Sequence, residues 1–144
     1  MKKEISVAVA PIYSKPSFSS EMVTQALFWD IVSILDQKEK WKKIKLSDNY
    51  KGWVYSFYID DILDFSNNYI FLNQRYTPLL SNNNLDSRTL TYLSFGTRVP
   101  IVDQDPHFYK IKLKDGSAGF IPFQNTPKYD NIRNEINRLA SILL

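Results

Sequence analysis

The chain has 144 residues, of which 44% are apolar and 15% aromatic, enough for one ordinary domain or two very small ones. It contains no cysteine, which excludes disulfides, thiolate metal sites and a cysteine nucleophile. The net charge of +3 allows an acidic partner without requiring one.

The amino-terminal segment MKKEISVAVAP has a basic start, but its apolar run is too short for a signal peptide because Ser6 and Pro11 interrupt it. No window approaches the length and hydrophobicity of a membrane span. The sequence therefore predicts a soluble, cytoplasmic protein with no membrane partner.

Short segments rich in β-branched and aromatic residues follow one another along the first half of the chain and predict strands. In chain order they are ISVAVAPIY, DIVSILDQ, WKKIKL and GWVYSFYI, with a long irregular loop at residues 14–24 after the first. In KIKL the alternation points Ile44 and Leu46 inward and Lys43 and Lys45 toward water. Five or six such strands with one long loop predict a small SH3-like barrel.

The second half of the chain repeats the first at a spacing of 67 residues, as when Trp41 is aligned with Phe108 (108 − 41 = 67). At this spacing and without a gap, PIYS aligns with PLLS, IVSILDQ with RVPIVDQ, KIKLSD with KIKLKD, and GWV with GFI. A chance alignment would not keep this register through several turns, so the sequence indicates the duplication of one module. The predicted fold class is mainly β, with two tandem SH3-like barrels and a C-terminal connecting α-helix.

That helix is predicted over residues 126–144, with Thr126 as N-cap and Pro127 at the first helical position. Its apolar face consists of Tyr129, Ile132, Ile136, Leu139 and Leu143. The helix either folds back over a barrel or a homodimer seam, or leads into a further domain.

The series SEMVTQALFWDIVSIL, WKKIKL and DNYKGWVY, with a weaker second copy containing LTYLSFGTRVPIV, resembles the paired bacterial SH3 (SH3b) domains of NlpC/p60 cysteine peptidases. The resemblance implies a first SH3b domain at residues 1–64, a second at 65–125, and a helix at 126–144 that leads toward a papain-like catalytic domain. In that family the catalytic domain cleaves γ-D-glutamyl-diamino-acid bonds of cell-wall peptides. Its catalytic Cys and His would follow Leu144, so the resemblance implies a chain that does not catalyse. We expect no cofactor and no metal.

In this family the first SH3b domain forms one wall of the peptidase cleft. Because that wall closes one end of the cleft, a peptide must present its free amino terminus there. The resemblance implies that Glu21 in SSEMVTQ and Tyr50 in DNYKGW help to form this pocket for L-Ala-γ-D-Glu peptides. It also implies that the partner in cis is an NlpC/p60 catalytic domain.

The duplication points to the same surface, because the two repeats keep their core residues and differ in their polar and aromatic ones. A carboxylate pairs with an ammonium group, a tyrosine offers a hydroxyl and a ring, and a tryptophan face attracts cations. The pairs that differ are Glu21 with Arg88, Tyr50 with Ser117 and Trp53 with Phe120.

Each of these residues also has a purely structural interpretation. Trp53, next to Gly52, is as well suited to the barrel core as to a ligand site. Tyr50 could pack on a neighbour, and Glu21 could be a solvated loop charge. Trp29 has no aromatic counterpart; an exposed tryptophan there would indicate a contact with another domain.

Enzymatic sites are poorly supported. His107 is the sole histidine, and DQDPHF predicts a hairpin turn with no serine signature for a triad. The cluster of Asp60, Asp61 and Asp64 lacks the spacing and glycine of a calcium loop. With four glycines there is no phosphate-binding loop.

Two binding functions remain as alternatives, a nucleic-acid-binding module and a protein-protein interaction module. The run Lys38, Lys40, Lys42, Lys43 and Lys45 beside Trp41 could form a basic strip with an aromatic platform. A groove for proline-rich peptides would need an acidic loop, and residues 14–24 contain Glu21 as their one acid.

Overall fold

The structure, a computed structural model, describes residues 1–62 and 68–123. The chain divides into two compact units, the first within residues 1–65 and the second within residues 66–144. Within the described residues both units are mainly β, as predicted. The predicted helix at 126–144 lies outside the described residues. Within those ranges, no helix is long and apolar enough to cross a membrane.

The first unit is one antiparallel sheet in the order β3-β2-β6-β5-β4-β1-β7. A 3-10 turn at Ser56–Tyr58 precedes its last strand. Its strands are β1 (Lys2–Ile5), β2 (Val9–Tyr13), β3 (Met22–Leu27), β4 (Ile31–Lys38), β5 (Trp41–Lys45), β6 (Lys51–Tyr55) and β7 (Ile59–Asp60).

The sheet of the first unit curls, because strands from its two ends supply side chains to one core. Ile59 of β7 and Ala26 of β3 belong to the same buried cluster as the central Ile44 and Val54. Leu46 is buried as well, so the inward face predicted for KIKL is confirmed. Burial of this apolar surface is the main stabilising contribution to the unit.

The second unit contains a five-stranded sheet in the order β10-β9-β14-β13-β12 and a separate β11-β8 pair. Its strands are β8 (Tyr69–Phe71), β9 (Tyr76–Leu80), β10 (Thr89–Ser94), β11 (Arg98–Pro100), β12 (Asp103–Gln104), β13 (Phe108–Lys112) and β14 (Ala118–Pro122).

The duplication inferred from the sequence recurs in the strands. Shifted by 67 residues, β2, β3, β5 and β6 coincide end to end with β9, β10, β13 and β14. The long β4 corresponds to two short strands, β11 and β12. Pro100 ends β11 at the place where Ser33 continues β4, because proline has no N–H to donate to a ladder.

Two turns also recur with the same unusual backbone. Asn49 (φ 70°) corresponds to Gly116 (φ 87°), and Trp29 (φ 66°) corresponds to Gly96 (φ 85°). Asparagine and glycine tolerate the left-handed region well, whereas a bulky residue such as tryptophan does so at a cost.

The long loop of the first unit is shorter than predicted and ends at residue 21. Met22 and Thr24, placed in the loop by the sequence analysis, pair with Tyr13 and Ile12 as part of β3. The register shifts between those two pairs, so a bulge hides the strand pattern in the sequence.

Gly52 allows β6 to lie closely against β2. A Cβ at residue 52 would stand 2.5 Å from Cγ2 of Ile12 and 3.0 Å from the carbonyl oxygen of Tyr13. At the equivalent Gly119, a Cβ would stand 2.8 Å from Cδ1 of Leu79, the end of a flexible side chain. The first unit therefore tolerates a side chain at this position less well than the second.

We predict that Gly52→Ala lowers the unfolding free energy of the first unit by about 1–3 kcal/mol, with a larger loss for Gly52→Val, because a stiff β-branched side chain and a backbone oxygen must both move. Urea unfolding followed by tryptophan fluorescence measures this unit alone, since Trp29, Trp41 and Trp53 all lie in it.

The matched control is Gly119→Ala. Unfolding of the second unit is monitored by the NMR signals of the His107 imidazole. The loss in Gly119→Ala should be smaller than that in Gly52→Ala, because the Leu79 terminus can rotate away. Equal losses in the two units would contradict the proposed role of Gly52.

Candidate functional site

Tyr50 lies on the hairpin between β5 and β6, where local hydrogen bonds fix the turn. The Leu46 N–H donates to the carbonyl of Tyr50 at 2.8 Å, and the Tyr50 N–H donates to the carboxylate of Asp48 at 3.0 Å. Asn49 supplies the left-handed residue of the turn. The side chain of Tyr50 is 47% exposed, so its ring and hydroxyl are accessible to a ligand.

Glu21 ends the long loop and is exposed. Its carbonyl accepts the Ser14 N–H at 2.8 Å, which ties the end of the loop to the end of β2. A polar cavity of about 450 Å³ lies here; its lining consists of Ser14, Lys15, Ser17, Ser19, Ser20 and Glu21. The cavity combines hydroxyl groups with one ammonium and one carboxylate.

The sheet places Glu21 and Tyr50 at the same end of the first unit. Strands β3 and β6 flank β2 on its two sides and both run antiparallel to it, with Tyr13 opposite Met22 and also opposite Trp53. Glu21 lies one residue before Met22 and Tyr50 lies three residues before Trp53. The two residues are therefore two strand spacings apart across the sheet, about 10 Å, and are offset by about two residues, about 7 Å, along it. In the described part of the chain no hydrogen bond or ion pair joins their side chains.

Trp53 does not fill the barrel core. Its neighbours Gly52 and Val54 are buried, whereas Trp53 is half-buried and therefore lies on the opposite, outer face of β6. Across the sheet it faces Tyr13 on one side and Lys43 on the other. Of the two interpretations of Trp53, the structure favours the surface one.

Trp29 is buried, at 3% exposure, and so differs from the exposed tryptophan that would have indicated a contact with another domain. Its ring stacks on Phe28 at a centroid distance of 3.9 Å, and the backbone N–H of Trp29 donates to the carbonyl of Ile5 at 2.9 Å. It occupies the third position of a turn closed by the Asp30 N–H and the Leu27 carbonyl, where glycine is normally required. Trp29 offers no accessible ring to a ligand.

A cluster of aromatic residues covers part of the same unit and was missed by the sequence analysis, which considered Trp41 as an aromatic platform beside the lysines. Phe18, from the long loop, lies 4.7 Å from Trp41 and 5.0 Å from Tyr55 between ring centroids. Trp41 is 7% exposed and Phe18 is 55% exposed. The members of this aromatic cluster are Tyr13, Phe18, Trp41, Tyr55, Phe57 and Tyr58.

The register of the sheet explains why these rings meet. Trp41 lies directly opposite Tyr55, and Tyr13 is on the same outer face of the neighbouring strands. Pairing of WKKIKL with GWVY would have predicted the Trp41–Tyr55 contact. The position of Phe18 depends on the path of the loop, which the sequence does not encode in a regular pattern.

The lysines around Trp41 do not form one strip. Because side chains alternate along a strand, Lys42 lies on one face of β5 and both Lys43 and Lys45 lie on the other. Lys42 bonds to the side chain of Gln37, and Lys43 lies opposite Asp36 on β4. This division of the positive charge weakens the nucleic-acid alternative.

The carboxylate of Asp105 shapes a turn and does not orient the His107 imidazole. It accepts the backbone N–H groups of His107 and Phe108, each at 2.7 Å, and the side-chain amide of Asn83 at 3.2 Å. The hydrogen bond from the His107 N–H is the main reason that the pKa of Asp105 lies below its ordinary value. This geometry gives no support to a catalytic triad.

Comparisons with known proteins find a family model that matches part of the first unit. Residues 12–56 match the bacterial dipeptidyl-peptidase SH3 domain family. A gamma-D-glutamyl-L-lysine dipeptidyl-peptidase from Bacillus cereus is 24% identical over 114 residues, 72% of this chain and 34% of that protein. The chain thus spans about a third of the length of this curated relative.

A solved structure shares the fold. The crystal structure of an NlpC/P60 family protein from Bacillus cereus superimposes with a TM-score of 0.75 at 17% identity, over 90% of this chain and 56% of that one. Together these findings confirm the resemblance to SH3b domains associated with NlpC/P60 peptidases.

We predict that Trp29→Ala lowers the unfolding free energy of the first unit by about 3–5 kcal/mol, since a large buried ring is lost. Trp29→Gly should cost about 1 kcal/mol less than Trp29→Ala, because glycine relieves the left-handed backbone strain. Urea unfolding followed by the fluorescence of Trp41 and Trp53 measures both variants. A glycine variant no more stable than the alanine variant would show that the positive φ of Trp29 carries no strain.

We also predict that the carboxyl of Asp105 titrates below pH 3.8 in a ¹³C NMR titration and that Asn83→Ala moves its midpoint upward. A carboxyl with a lowered folded pKa stabilises the second unit above its unfolded pKa, and this contribution is lost as the pH falls through the folded pKa. Asp105→Asn should therefore flatten the acid dependence of that unit below about pH 4. An unchanged acid dependence would contradict this role of Asp105.

Proposed function

We propose that this chain is the non-catalytic SH3b recognition and scaffold region of an NlpC/P60-type cell-wall peptide hydrolase, and that its first unit binds the free amino terminus of L-Ala-γ-D-Glu peptides. The observation that carries the proposal is the placement of Glu21 and Tyr50, both exposed, at one end of the unit whose residues 12–56 match the dipeptidyl-peptidase SH3 family.

The chemistry of this end suits a peptide amino terminus. An α-amino group has a pKa of about 7.7–8.0 and is largely protonated at neutral pH, so the Glu21 carboxylate is its natural partner. Serine hydroxyls of the same cavity can accept its remaining hydrogen bonds. The Tyr50 ring can contact the alanine methyl group from the other side of β2.

Lys15 adds a second charge of opposite sign to the cavity. A γ-linked D-glutamate keeps its α-carboxylate free, a few bonds from the ammonium of the preceding alanine. Glu21 can then pair with the ammonium while Lys15 pairs with the carboxylate. An ordinary α-linked glutamate presents its carboxylate at the end of the side chain instead, so the cavity has a basis for preferring the γ linkage.

The chain supplies no cysteine, so the nucleophile of such a peptidase must come from elsewhere. We infer that the unit acts as one wall of a cleft whose catalytic residues belong to an NlpC/P60 domain, in cis or in trans. The chain by itself is expected to bind and not to cleave.

We predict that L-Ala-γ-D-Glu shifts the amide NMR signals of Glu21, Tyr50 and Lys15, and that acetylation of its amino group abolishes these shifts. Glu21→Gln should weaken binding by about tenfold, the loss expected for one charge-assisted hydrogen bond. Tyr50→Ala should also weaken binding, because it removes the ring and hydroxyl that contact the ligand. It should leave the fold intact, because the Tyr50 side chain is exposed.

The matched control is Glu39→Gln, which removes the same charge from an exposed turn of the same unit and should leave binding unchanged. Binding that is equal in Glu21→Gln and Glu39→Gln, or that survives acetylation, would contradict the proposal. Binding that falls steeply with added salt and requires a polyanion would instead support the nucleic-acid alternative.

A further inference from the structure

Within the part of the second unit that the structure describes, there is an open groove of about 690 Å³. Its apolar lining includes Leu85, Phe108, Pro122 and Phe123, and His107 also lines it. Leu85 is 65% exposed although it lies against this groove, whereas Phe108 is 8% exposed and forms its floor. Nothing in the proposed function uses this groove.

The duplication shows what fills the same place in the first unit. Shifted by 67 residues, Leu85, Phe108 and Pro122 correspond to Phe18, Trp41 and Tyr55. Those three rings pack on one another at centroid distances of 4.7, 5.0 and 5.4 Å. The first unit thus places a phenyl ring from its own loop where the second unit has a shorter aliphatic side chain.

The two loops that carry Phe18 and Leu85 are built alike, so the comparison is between equivalent positions. In the first loop the Ser20 hydroxyl lies 3.1 Å from the Lys15 carbonyl and 2.7 Å from the Ser17 carbonyl. In the second loop the Ser87 hydroxyl makes the corresponding contacts at the same two distances. The loop framework is therefore retained, and the side chain that it presents has changed.

Two prolines and a set of hydrogen bonds restrict the walls of the groove. Pro106 and Pro122 restrict the backbone on two sides. The Asn83 side chain bridges the loop to Asp105, whose carboxylate also holds the turn that carries His107. A site with walls held in this way loses little conformational entropy on binding.

We propose that this groove binds an aromatic side chain of a peptide partner, which takes the place that Phe18 takes in the first unit. Phe108 and Pro122 supply apolar faces for the incoming ring, and the exposed loop with Leu85 forms one wall. A phenyl ring is favoured over an aliphatic side chain because the equivalent position in the first unit holds a phenyl ring among aromatic neighbours.

The test uses the full chain and two peptides with both ends blocked, acetyl-Ala-Phe-Ala-amide and acetyl-Ala-Ala-Ala-amide. Because neither has a free amino terminus, binding is independent of the site proposed for the first unit. His107 is the sole histidine, so its imidazole NMR signals report on the groove without assignment. At fixed pH and millimolar peptide, we expect saturable shifts with the phenylalanine peptide and at least about tenfold weaker binding of the alanine peptide.

Leu85→Phe should place a phenyl ring in the groove from the chain itself, as in the first unit. We expect the His107 signals of this variant to move without peptide and its affinity for the phenylalanine peptide to fall by about tenfold or more. Leu90→Phe, the same substitution on β10 away from the groove, is the matched control and should bind as the unaltered chain does.

Three outcomes would overturn the proposal. The first is that the phenylalanine peptide does not shift the His107 signals, and the second is that both peptides shift them equally. The third is that Leu85→Phe moves the His107 signals without peptide and still binds the phenylalanine peptide as tightly as the unaltered chain. His107 signals that depend on protein concentration without peptide would show that a second copy of the chain occupies the groove, which also excludes a peptide partner as its occupant.

Discussion

The close approach of β2 and β6 at Gly52 is the contact on which the first unit depends. Only hydrogen at that α-carbon leaves room for the Ile12 side chain and the Tyr13 carbonyl. Tyr13 of β2 in turn faces both Met22 and Trp53, so β2, which lies between β3 and β6, sets the positions of the loop that ends at Glu21 and of the hairpin that carries Tyr50. The candidate site is thus built by strand packing, although its two main residues lie on turns.

The duplicated scaffold separates what folding requires from what binding can vary. Four strands, the two turns at Trp29 and Asn49, and the glycine at position 52 recur after 67 residues, whereas Glu21, Tyr50 and Trp53 are replaced by Arg88, Ser117 and Phe120. Trp29 is an exception, since it occupies a backbone position where the other repeat uses glycine. The burial of its ring outweighs the backbone cost, which is about 1–2 kcal/mol for a left-handed residue.

Much of this architecture could be predicted because strands and turns leave local patterns. The alternation in KIKL depends on neighbouring residues, and the repeat shows when the chain is compared with itself; both are found in the structure. The bulge that draws Met22 into β3, the break of ISVAVAPIY into β1 and β2, and the break at Pro100 are local departures that alternation alone does not reveal. The aromatic cluster and the groove at Leu85 depend on loop paths and on strand register, which only the folded chain defines.

The central claim is that the Glu21 end of the first unit holds a peptide ammonium group, and a crystal structure of the full chain with L-Ala-γ-D-Glu tests it most directly. The account predicts that the ligand ammonium lies within hydrogen-bond distance of the Glu21 carboxylate, about 2.7–3.2 Å, with the α-carboxylate of D-glutamate toward Lys15. A peptide anchored elsewhere on the chain, or one whose ammonium points away from Glu21 into solvent, would contradict it.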